Sequence, residues 1–284
     1  MLLSDYSDEP PEAGLKLLFL HHSVGGQLLA DPGPTHALAD SIYASHQHGG
    51  GLRRSLVAQG YRVHEASYGS AAAHDTDLFD WLPKFASDMD RILRVRFNDD
   101  LLSHGSNQIV LFKSCYPNNR FIGAGAAPGA PAGPELTVWN AKASFQHMLE
   151  PFGRYPEVLF VYLTAPPNAP GPGRSPRLRS RLKALAKAAL GRPTAAEVLG
   201  EQARLAREFN TWAAAPEGWL EGYPLNNVAV FDYFSALTGP RSDLSAYPSG
   251  DGTDSHPRGE GQQAAARALV PFINRAVRRA GLSK

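Results

Sequence analysis

A serine near the N-terminus and an Asp-x-His sequence near the C-terminus are the residues of this chain best suited to chemistry. Ser23 comes three residues after the apolar run Leu15–Leu20, and Asp254 lies two residues before His256. A serine hydroxyl needs a base to become a good nucleophile, and a carboxylate beside a histidine can orient its ring and stabilise the imidazolium. These residue types indicate acyl-transfer chemistry, with Asp251 as an alternative carboxylate. Taken singly, the serine also suits a helix N-cap, and the histidine suits a capped surface loop.

The elements that must bring these residues together are short apolar runs separated by helix-like stretches. The runs are nearly continuous rather than alternating, which is typical of strands buried on both faces of a parallel sheet. They cover Leu15–Leu20, Tyr61–Ala66, Gln108–Lys113, Val158–Thr164 and Asn227–Phe231. Helices are predicted over Leu52–Gln59, Asp80–Phe97, Leu136–Leu149, Ala195–Trp212 and Gly259–Ala280.

Repeated strand-then-helix order predicts an α/β protein, a three-layer α/β/α sandwich with a flavodoxin-like, five-stranded parallel sheet. We expect a single domain over residues 1–284, with loops over Ala30–Gly51 and an insertion near 166–193. In such sheets ligands bind beyond the carboxyl ends of the strands. Ser23 follows one of these ends, and the Asp-x-His sequence precedes the last helix, so both are expected at the same edge.

Ser23 after the first strand, together with Asp254-x-His256 before the last helix, resembles the order found in the SGNH, or GDSL-like, hydrolase superfamily. The resemblance extends from Leu15 to the terminal helix and rests on short motifs. It implies a flavodoxin-like fold, ester hydrolysis by a Ser-His-Asp triad and no cofactor. The family's Gly-Asp-Ser reads His21-His22-Ser23 here, so only Ser23 carries over, and its Asp-x-x-His is shortened to Asp-x-His.

The resemblance also implies an oxyanion hole with three donors. These are the amide of Ser23, the amide of a glycine after the second strand, best matched by Gly69, and the side chain of an asparagine after the third strand. Asn118 and Asn119 are the candidates for the asparagine, although they lie somewhat beyond the end of that strand. The expected function is hydrolysis of a carboxylic ester that carries a small acyl group on a sugar or natural product. O-acyl transfer at the same site, or a catalytically silent binding protein of the same fold, are the alternatives.

Other polar residues near the expected edge could contact a substrate, namely His22, Lys113 and Ser114. Cys115 is interpreted as a buried small hydrophobe, since free cysteine is among the most buried residue types. His46-x-His48 has no acid nearby, and His74 beside Asp75 and Asp77 is a possible small site. Scattered histidines are more often packing or surface residues, so no metal site is predicted. Neither a Gly-x-Gly-x-x-Gly fingerprint nor a Walker P-loop is present, and nucleotide binding therefore has no motif in its favour.

Composition limits the remaining classes of function. The net charge of +1 offers no case for nucleic-acid binding. With one cysteine in the chain, an intramolecular disulfide cannot form. No apolar run approaches the length of a membrane span, and no signal peptide is visible, so a cytoplasmic protein is expected.

Seven cations without an acid over Arg174–Arg192 predict a basic amphipathic helix. A solvated face is the simpler interpretation of that helix, and a lid, an anion clamp or a membrane contact are alternatives.

Overall fold

The central element is a seven-stranded sheet, described here from a computed structural model that covers residues 2–12, 14–171, 193–238 and 241–283. The strands of this sheet are β1 (Lys16–Leu20), β5 (Arg62–Ala66), β6 (Val95–Phe97), β7 (Asp100–Leu101), β8 (Ile109–Phe112), β9 (Leu159–Leu163) and β10 (Val228–Phe231). Their spatial order is β10-β9-β8-β1-β5-β6-β7, and only the β6–β7 pair is antiparallel. All five predicted strands are present, and they follow the flavodoxin order.

The helices lie on both faces of the sheet, which confirms the predicted three-layer α/β/α sandwich. The α-helices in the described ranges are α1 (Ser23–Leu29), α2 (Leu52–Ala58), α3 (Trp81–Ser87), α4 (Met89–Arg94), α5 (Val138–Gly153), α6 (Ala195–Ala214), α7 (Tyr233–Leu237) and α8 (Gly259–Arg279). None of the described helices is both long enough and apolar enough to cross a bilayer.

Alternate residues of the strands supply two separate cores, one on each face. Leu18, Val110 and Phe160 point to one side, where they pack with residues of α3 to α6. Their neighbours Leu17, Ile109 and Leu159 point to the other side, where they pack with residues of α1, α2 and α8. Because both faces are buried, these strands read as continuous apolar runs in the sequence.

The structure differs from the sequence expectation in three places. The predicted loop over Ala30–Gly51 contains a small sheet of β2 (Asp31–Pro32), β3 (His36–Ala39) and β4 (Ile42–His46). The helix predicted over Asp80–Phe97 is broken at Asp88, and its last three residues form β6 instead. The third difference is that the main sheet has seven strands where five were predicted, because β6 and the following β7 extend it beyond β5. The basic helix expected over Arg174–Arg192 falls outside the described residues.

The strand register aligns the loops that follow the three middle strands. Leu20 at the end of β1 pairs with Ala66 at the end of β5 and with Phe112 at the end of β8. The residues that follow these three strands therefore emerge at one edge of the sheet. Ser23, Tyr68 and Cys115 lie in these three segments, within five residues of the strand ends.

Candidate active site

Ser23 is the first residue of α1, and the turn that presents it depends on two glycines that follow. A Cβ atom at Gly25 would collide with the side chain of His21, and one at Gly26 would fall on the backbone carbonyl of Ser41. Both positions therefore require glycine because another part of the chain approaches closely. The helix is consequently packed against its own strand end and against the β3–β4 connection.

The side chains of Ser23, His256 and Asp254 form a continuous hydrogen-bonded chain. His256 Nε2 lies 2.9 Å from Ser23 Oγ, and His256 Nδ1 lies 2.7 Å from Asp254 Oδ1. The same Oδ1 accepts a hydrogen bond from the backbone amide of His256 at 3.0 Å. A proton on Nδ1, facing the carboxylate, leaves Nε2 as the acceptor of the serine hydroxyl proton. Residues separated by 233 positions in the sequence thus meet in the arrangement that a serine nucleophile needs.

The loop that carries Asp254 and His256 is held by hydrogen bonds on both sides. The hydroxyl of Ser255 accepts from the amide of Ala169 at 2.9 Å, and Asp254 forms a β-bridge with Ser249. The fully buried Gln262 then ties the following helix to α1, since its Nε2 donates to the carbonyl of Val24 at 3.3 Å. The distance between serine and histidine is therefore set by contacts on both elements.

The carboxylate that meets the histidine is Asp254, although its side chain is 51% exposed. Partial burial opposes ionisation of Asp254, but hydrogen bonds from the His256 ring and amide outweigh it and lower the pKa of the carboxyl below its usual value. The alternative, Asp251, accepts hydrogen bonds from the amide and hydroxyl of Thr253 at its Oδ1. Asp254 is thus a candidate whose carboxylate lies within hydrogen-bond distance of the His256 ring, and its role as the orienting group stays a prediction.

Buried ion pairs and hydrogen bonds hold the turn between β1 and Ser23. His21 Nε2 lies 3.2 Å from Glu65 Oε2, and Arg53 pairs with the other carboxylate oxygen of Glu65. His21 Nδ1 lies 3.0 Å from the carbonyl of His22. Burial opposes ionisation of Glu65, but the hydrogen bond and charge of His21, together with Arg53, outweigh it and lower the pKa of the carboxyl. This network fixes the backbone of the segment that ends in Ser23.

The two asparagines proposed for the oxyanion hole are engaged elsewhere. Asn119 uses both amide hydrogens on the carbonyls of Ala165 and Pro166, at 2.9 and 2.8 Å, so its prediction as an oxyanion donor is wrong. Asn118 donates one hydrogen to Asp77 Oδ1 and accepts from the amide of Leu78, each at 2.7 Å. Its main role is to hold the 77–78 turn, and one amide hydrogen remains.

Gly69 lies in the turn after β5, directly beyond Tyr68, and is exposed. In the described part of the chain, none of the hydrogen bonds uses its amide as donor. An added Cβ at this position would make only ordinary contact, 3.6 Å from Asn98 Nδ2. Its assignment to the oxyanion hole stays a prediction.

The structure does not place the three expected substrate contacts where a ligand can reach them. His22 is buried, with Nε2 2.7 Å from the Ala73 carbonyl and Nδ1 3.1 Å from the hydroxyl of Thr76. Lys113 is fully buried, with its Nζ 3.8 Å from Cys115 Sγ. Both side chains therefore lie in the interior of the protein, contrary to the sequence expectation.

Ser114, the third expected contact, is also fully buried. Its hydroxyl accepts a hydrogen bond from Trp81 Nε1 at 2.8 Å. It therefore anchors α3 to the end of β8 and has no exposed surface for a substrate.

The sequence analysis missed two aromatic residues that touch the site. Tyr116 presents its ring edge-to-face to His256, with the centroids 5.6 Å apart. Tyr68 stacks its ring on that of His22, the residue before Ser23, with the centroids 3.6 Å apart. The signal for Tyr68 was its position, since it follows a parallel strand next to β1 and precedes Gly69.

Within the described ranges, no group of three or more His, Cys, Asp or Glu is arranged to hold a metal ion.

Comparisons with known proteins give distant structural likenesses. No family model matches the sequence, and no curated protein matches it. The lipase/acylhydrolase from Enterococcus faecalis has a similar structure, with 15% sequence identity, a TM-score of 0.39 and coverage of 95% of this chain and 97% of its own. A second solved structure shares 13% identity, with a TM-score of 0.41 and coverage of 94% and 97%.

Proposed function

We propose that this protein is a serine-dependent hydrolase of carboxylic esters that carry a small acyl group, with an SGNH-type site and an acyl-enzyme intermediate. The observation that supports it is the chain of hydrogen bonds from Ser23 Oγ to His256 Nε2 and from His256 Nδ1 to Asp254, at 2.9 and 2.7 Å. Both distances lie in the range expected of a nucleophile and its base, and of a base and its orienting group. The site also lies at the carboxyl edge of a parallel sheet, where α/β proteins bind ligands.

In the first half of the reaction, Ser23 Oγ attacks the ester carbonyl while its proton passes to His256 Nε2. Asp254 keeps the other ring proton on Nδ1 and stabilises the imidazolium that forms. The carbonyl oxygen becomes an oxyanion, for which the amide of Ser23 and the amide of Gly69 are the proposed backbone donors. Removing one such donor typically costs about 3–4 kcal/mol of transition-state stabilisation.

In the second half of the reaction, the tetrahedral intermediate collapses and the alcohol leaves with the proton held by His256. Water then attacks the acyl-enzyme, giving its proton to His256, and the carboxylic acid departs as Ser23 recovers its proton. An alcohol in place of water would give acyl transfer by the same steps. The partial exposure of His256, 24% for its side chain, is consistent with access of water or an alcohol.

The shortened Asp-x-His spacing is compatible with this chemistry because one carboxylate oxygen serves two donors. Oδ1 of Asp254 accepts from both the ring and the amide of His256, which fixes the aspartate relative to the histidine backbone as well as to its ring. A single intervening residue suffices for this local arrangement. The departure from the family's usual Asp-x-x-His therefore does not prevent orientation of the imidazole.

The proposal is tested with a panel of p-nitrophenyl esters of increasing acyl length. We expect turnover of the acetyl or butyryl ester by the native protein, and loss of about 10⁴-fold or more in Ser23→Ala and His256→Ala. Ser87→Ala is the matched control, since its hydroxyl only contacts the carbonyl of Pro83 on the surface of α3. Equal turnover in native protein and Ser23→Ala would overturn the assignment. Product analysis with an added alcohol separates hydrolysis from acyl transfer.

A further inference from the structure

Arg120 is an exposed cation that lies one aromatic ring away from the histidine of the proposed triad. The ring of Tyr116 contacts the ring of His256 edge-to-face, with the centroids 5.6 Å apart. The guanidinium carbon of Arg120 lies over the same tyrosine ring, 5.8 Å from its centroid. This distance is within the ~6 Å that defines a cation–π contact. Tyr116 therefore joins Arg120 to the candidate active site.

A second contact orders the guanidinium. Its Nε donates a hydrogen bond to Asn168 Oδ1 at 3.3 Å. The amide of the next residue, Ala169, donates to the hydroxyl of Ser255 at 2.9 Å, inside the loop that carries the aspartate and the histidine. The side chain of Arg120 is therefore held against the same segment that holds the triad loop.

The backbone that presents Tyr116 and Arg120 is also fixed. It forms a short turn of 3-10 helix after β8, and the amide of Arg120 closes the turn on the carbonyl of Pro117 at 3.0 Å. The side chain of Asn119, in the same turn, donates to two backbone carbonyls that follow β9, at 2.9 and 2.8 Å. The tyrosine and the arginine thus lie on one anchored segment at the edge of the site.

The positive charge of Arg120 is not balanced by the contacts that position it. The tyrosine ring and the Asn168 oxygen are both neutral, and none of the ion pairs between described residues includes Arg120. Asp254 contacts His256 at Nδ1, on the opposite side of the ring from the Nε2 atom that faces the nucleophile. The exposed guanidinium therefore keeps donors with which it can bind an anion.

We propose that Arg120 recognises a carboxylate on the alcohol part of the ester, an inference that rests on the proposed esterase function. His256 has to give its proton to the leaving alcohol, so the alcohol part lies beside His256 during the reaction. A ring-sized alcohol can extend from there to Arg120, because one aromatic ring separates the guanidinium from the histidine.

The chemistry of a single guanidinium favours a carboxylate over a phosphate. Its planar N–H donors match the two oxygens of a carboxylate in a bidentate pair. One guanidinium balances the single negative charge of a carboxylate, whereas a phosphate monoester carries about −1.5 to −2 at neutral pH. The substrates are therefore small acyl esters of ring-sized alcohols that carry one carboxylate.

The test uses 4-acetoxybenzoate and methyl 4-acetoxybenzoate, which carry the same acetyl group on the same ring and differ in charge at the opposite end. In Arg120→Gln, we expect kcat/KM for 4-acetoxybenzoate to fall about 5- to 30-fold more than for the methyl ester, mainly through KM, since a charged hydrogen bond is lost at an exposed position. Arg120→Lys should lose less, because it keeps the charge without the planar donors. Arg62→Gln is the matched control, since that arginine is exposed at the amino end of β5, on the opposite edge of the sheet.

Salt provides a second readout that a purely structural role would not change. Exposed charge pairs are screened by salt, so the ratio of kcat/KM for 4-acetoxybenzoate to that for its methyl ester should fall in native protein as NaCl is raised. The ratio in Arg120→Gln should depend much less on NaCl. An equal salt dependence in the two proteins would contradict the inference.

The outcomes separate this inference from the proposed function. An unchanged ratio of the two kcat/KM values in Arg120→Gln overturns the role of Arg120, whether both values fall together, as from a displaced Tyr116, or neither falls. The esterase assignment survives that result if native protein hydrolyses either ester and Ser23→Ala does not. Native protein without Ser23-dependent turnover of these esters and of the p-nitrophenyl panel overturns both proposals. Thermal melts establish that each variant is folded.

Discussion

Replacing Asp254 by asparagine tests how strongly the triad depends on the charge of its carboxylate. The aspartate accepts two hydrogen bonds at one oxygen, from the ring and the amide of His256. An asparagine with its carbonyl oxygen turned inward retains both bonds. The histidine can therefore keep its proton on Nδ1, and the substitution removes mainly the negative charge.

The size of the effect follows from the strength of the bond and its exposure. A hydrogen bond to a charged group contributes about 1.5–3 kcal/mol and a neutral one about 1 kcal/mol. The imidazolium formed in the transition state loses a counter-charge as well, but the Asp254 side chain is 51% exposed and water screens that attraction. We therefore expect a loss of about 1–3 kcal/mol, which is roughly 5- to 150-fold in kcat. This is far below the ~10⁴-fold known for a buried triad aspartate whose asparagine variant imposes the wrong tautomer.

The assay is steady-state hydrolysis of the best p-nitrophenyl ester by native protein, Asp254→Asn and Asp254→Ala, with Asp251→Asn as the matched control. Asp254→Ala should lose more than Asp254→Asn, because it removes the orienting bonds as well as the charge. Asp251→Asn should stay within threefold of native protein. An Asp254→Asn variant with native kcat, or a larger loss in Asp251→Asn than in Asp254→Asn, would refute the assignment of the orienting carboxylate.

Three further predictions concern the supports of the site, each measured by thermal and urea unfolding. Glu65→Gln should destabilise the fold by about 1–3 kcal/mol at pH 7, because the buried carboxylate serves both His21 and Arg53. Since the folded pKa of Glu65 lies below the usual 4.5, this contribution is present above that pH and disappears as the pH falls through the folded value. The exposed Glu150→Gln should change stability by less than about 0.5 kcal/mol, and an equal loss in both variants would contradict the reasoning. Gly26→Ala should cost about 1–3 kcal/mol and lower activity, because the new methyl group meets the Ser41 backbone, whereas Gly200→Ala on the open surface of α6 should be neutral or stabilising. Lys113→Met should raise stability by about 1–3 kcal/mol, because burial disfavours the charged form of the lysine and lowers its pKa, a penalty that grows as the pH falls below the usual lysine pKa. A Lys113→Met variant less stable than native protein would show that the lysine has a compensating partner.

The sheet could be predicted because strands that are buried on both faces consist of nearly continuous apolar residues. Runs such as Leu15–Leu20 and Val158–Thr164 read as strands because all their residues except Lys16 and Thr164 pack into one of the two cores. The β3 strand could not be predicted in this way, since three of its four residues are exposed. The β6 strand continues directly from the helical apolar pattern, so periodicity alone could not separate it from the helix.

The candidate site was predictable where a residue's position in the chain determines its place at the sheet edge. Ser23 and the Asp254–His256 pair follow from strand and helix order, and the structure brings them within hydrogen-bond distance. Lys113 and Ser114 follow a strand too, but both side chains pack inward and bind Cys115 and Trp81. Local backbone geometry determines which of the residues after a strand points outward. That geometry could not be inferred from a single sequence.

Tyr68 shows a second reason why part of the candidate site could not be predicted from the sequence. Its place beside the site depends on the stacking of its ring on His22, which belongs to a neighbouring strand's connection. An ordinary tyrosine in a turn carries no local pattern that announces such contacts. The aligned ends of β1 and β5 supply them, through the pairing of Leu20 with Ala66.

The most direct test of the central claim is peptide mass spectrometry after treatment of the folded protein with a fluorophosphonate, which reacts preferentially with an activated serine. The account predicts one stoichiometric adduct on Ser23, absent after heat denaturation and strongly slowed in His256→Ala. Folded protein that forms no adduct, or forms it on another residue, would contradict the claim that Ser23 is an activated nucleophile.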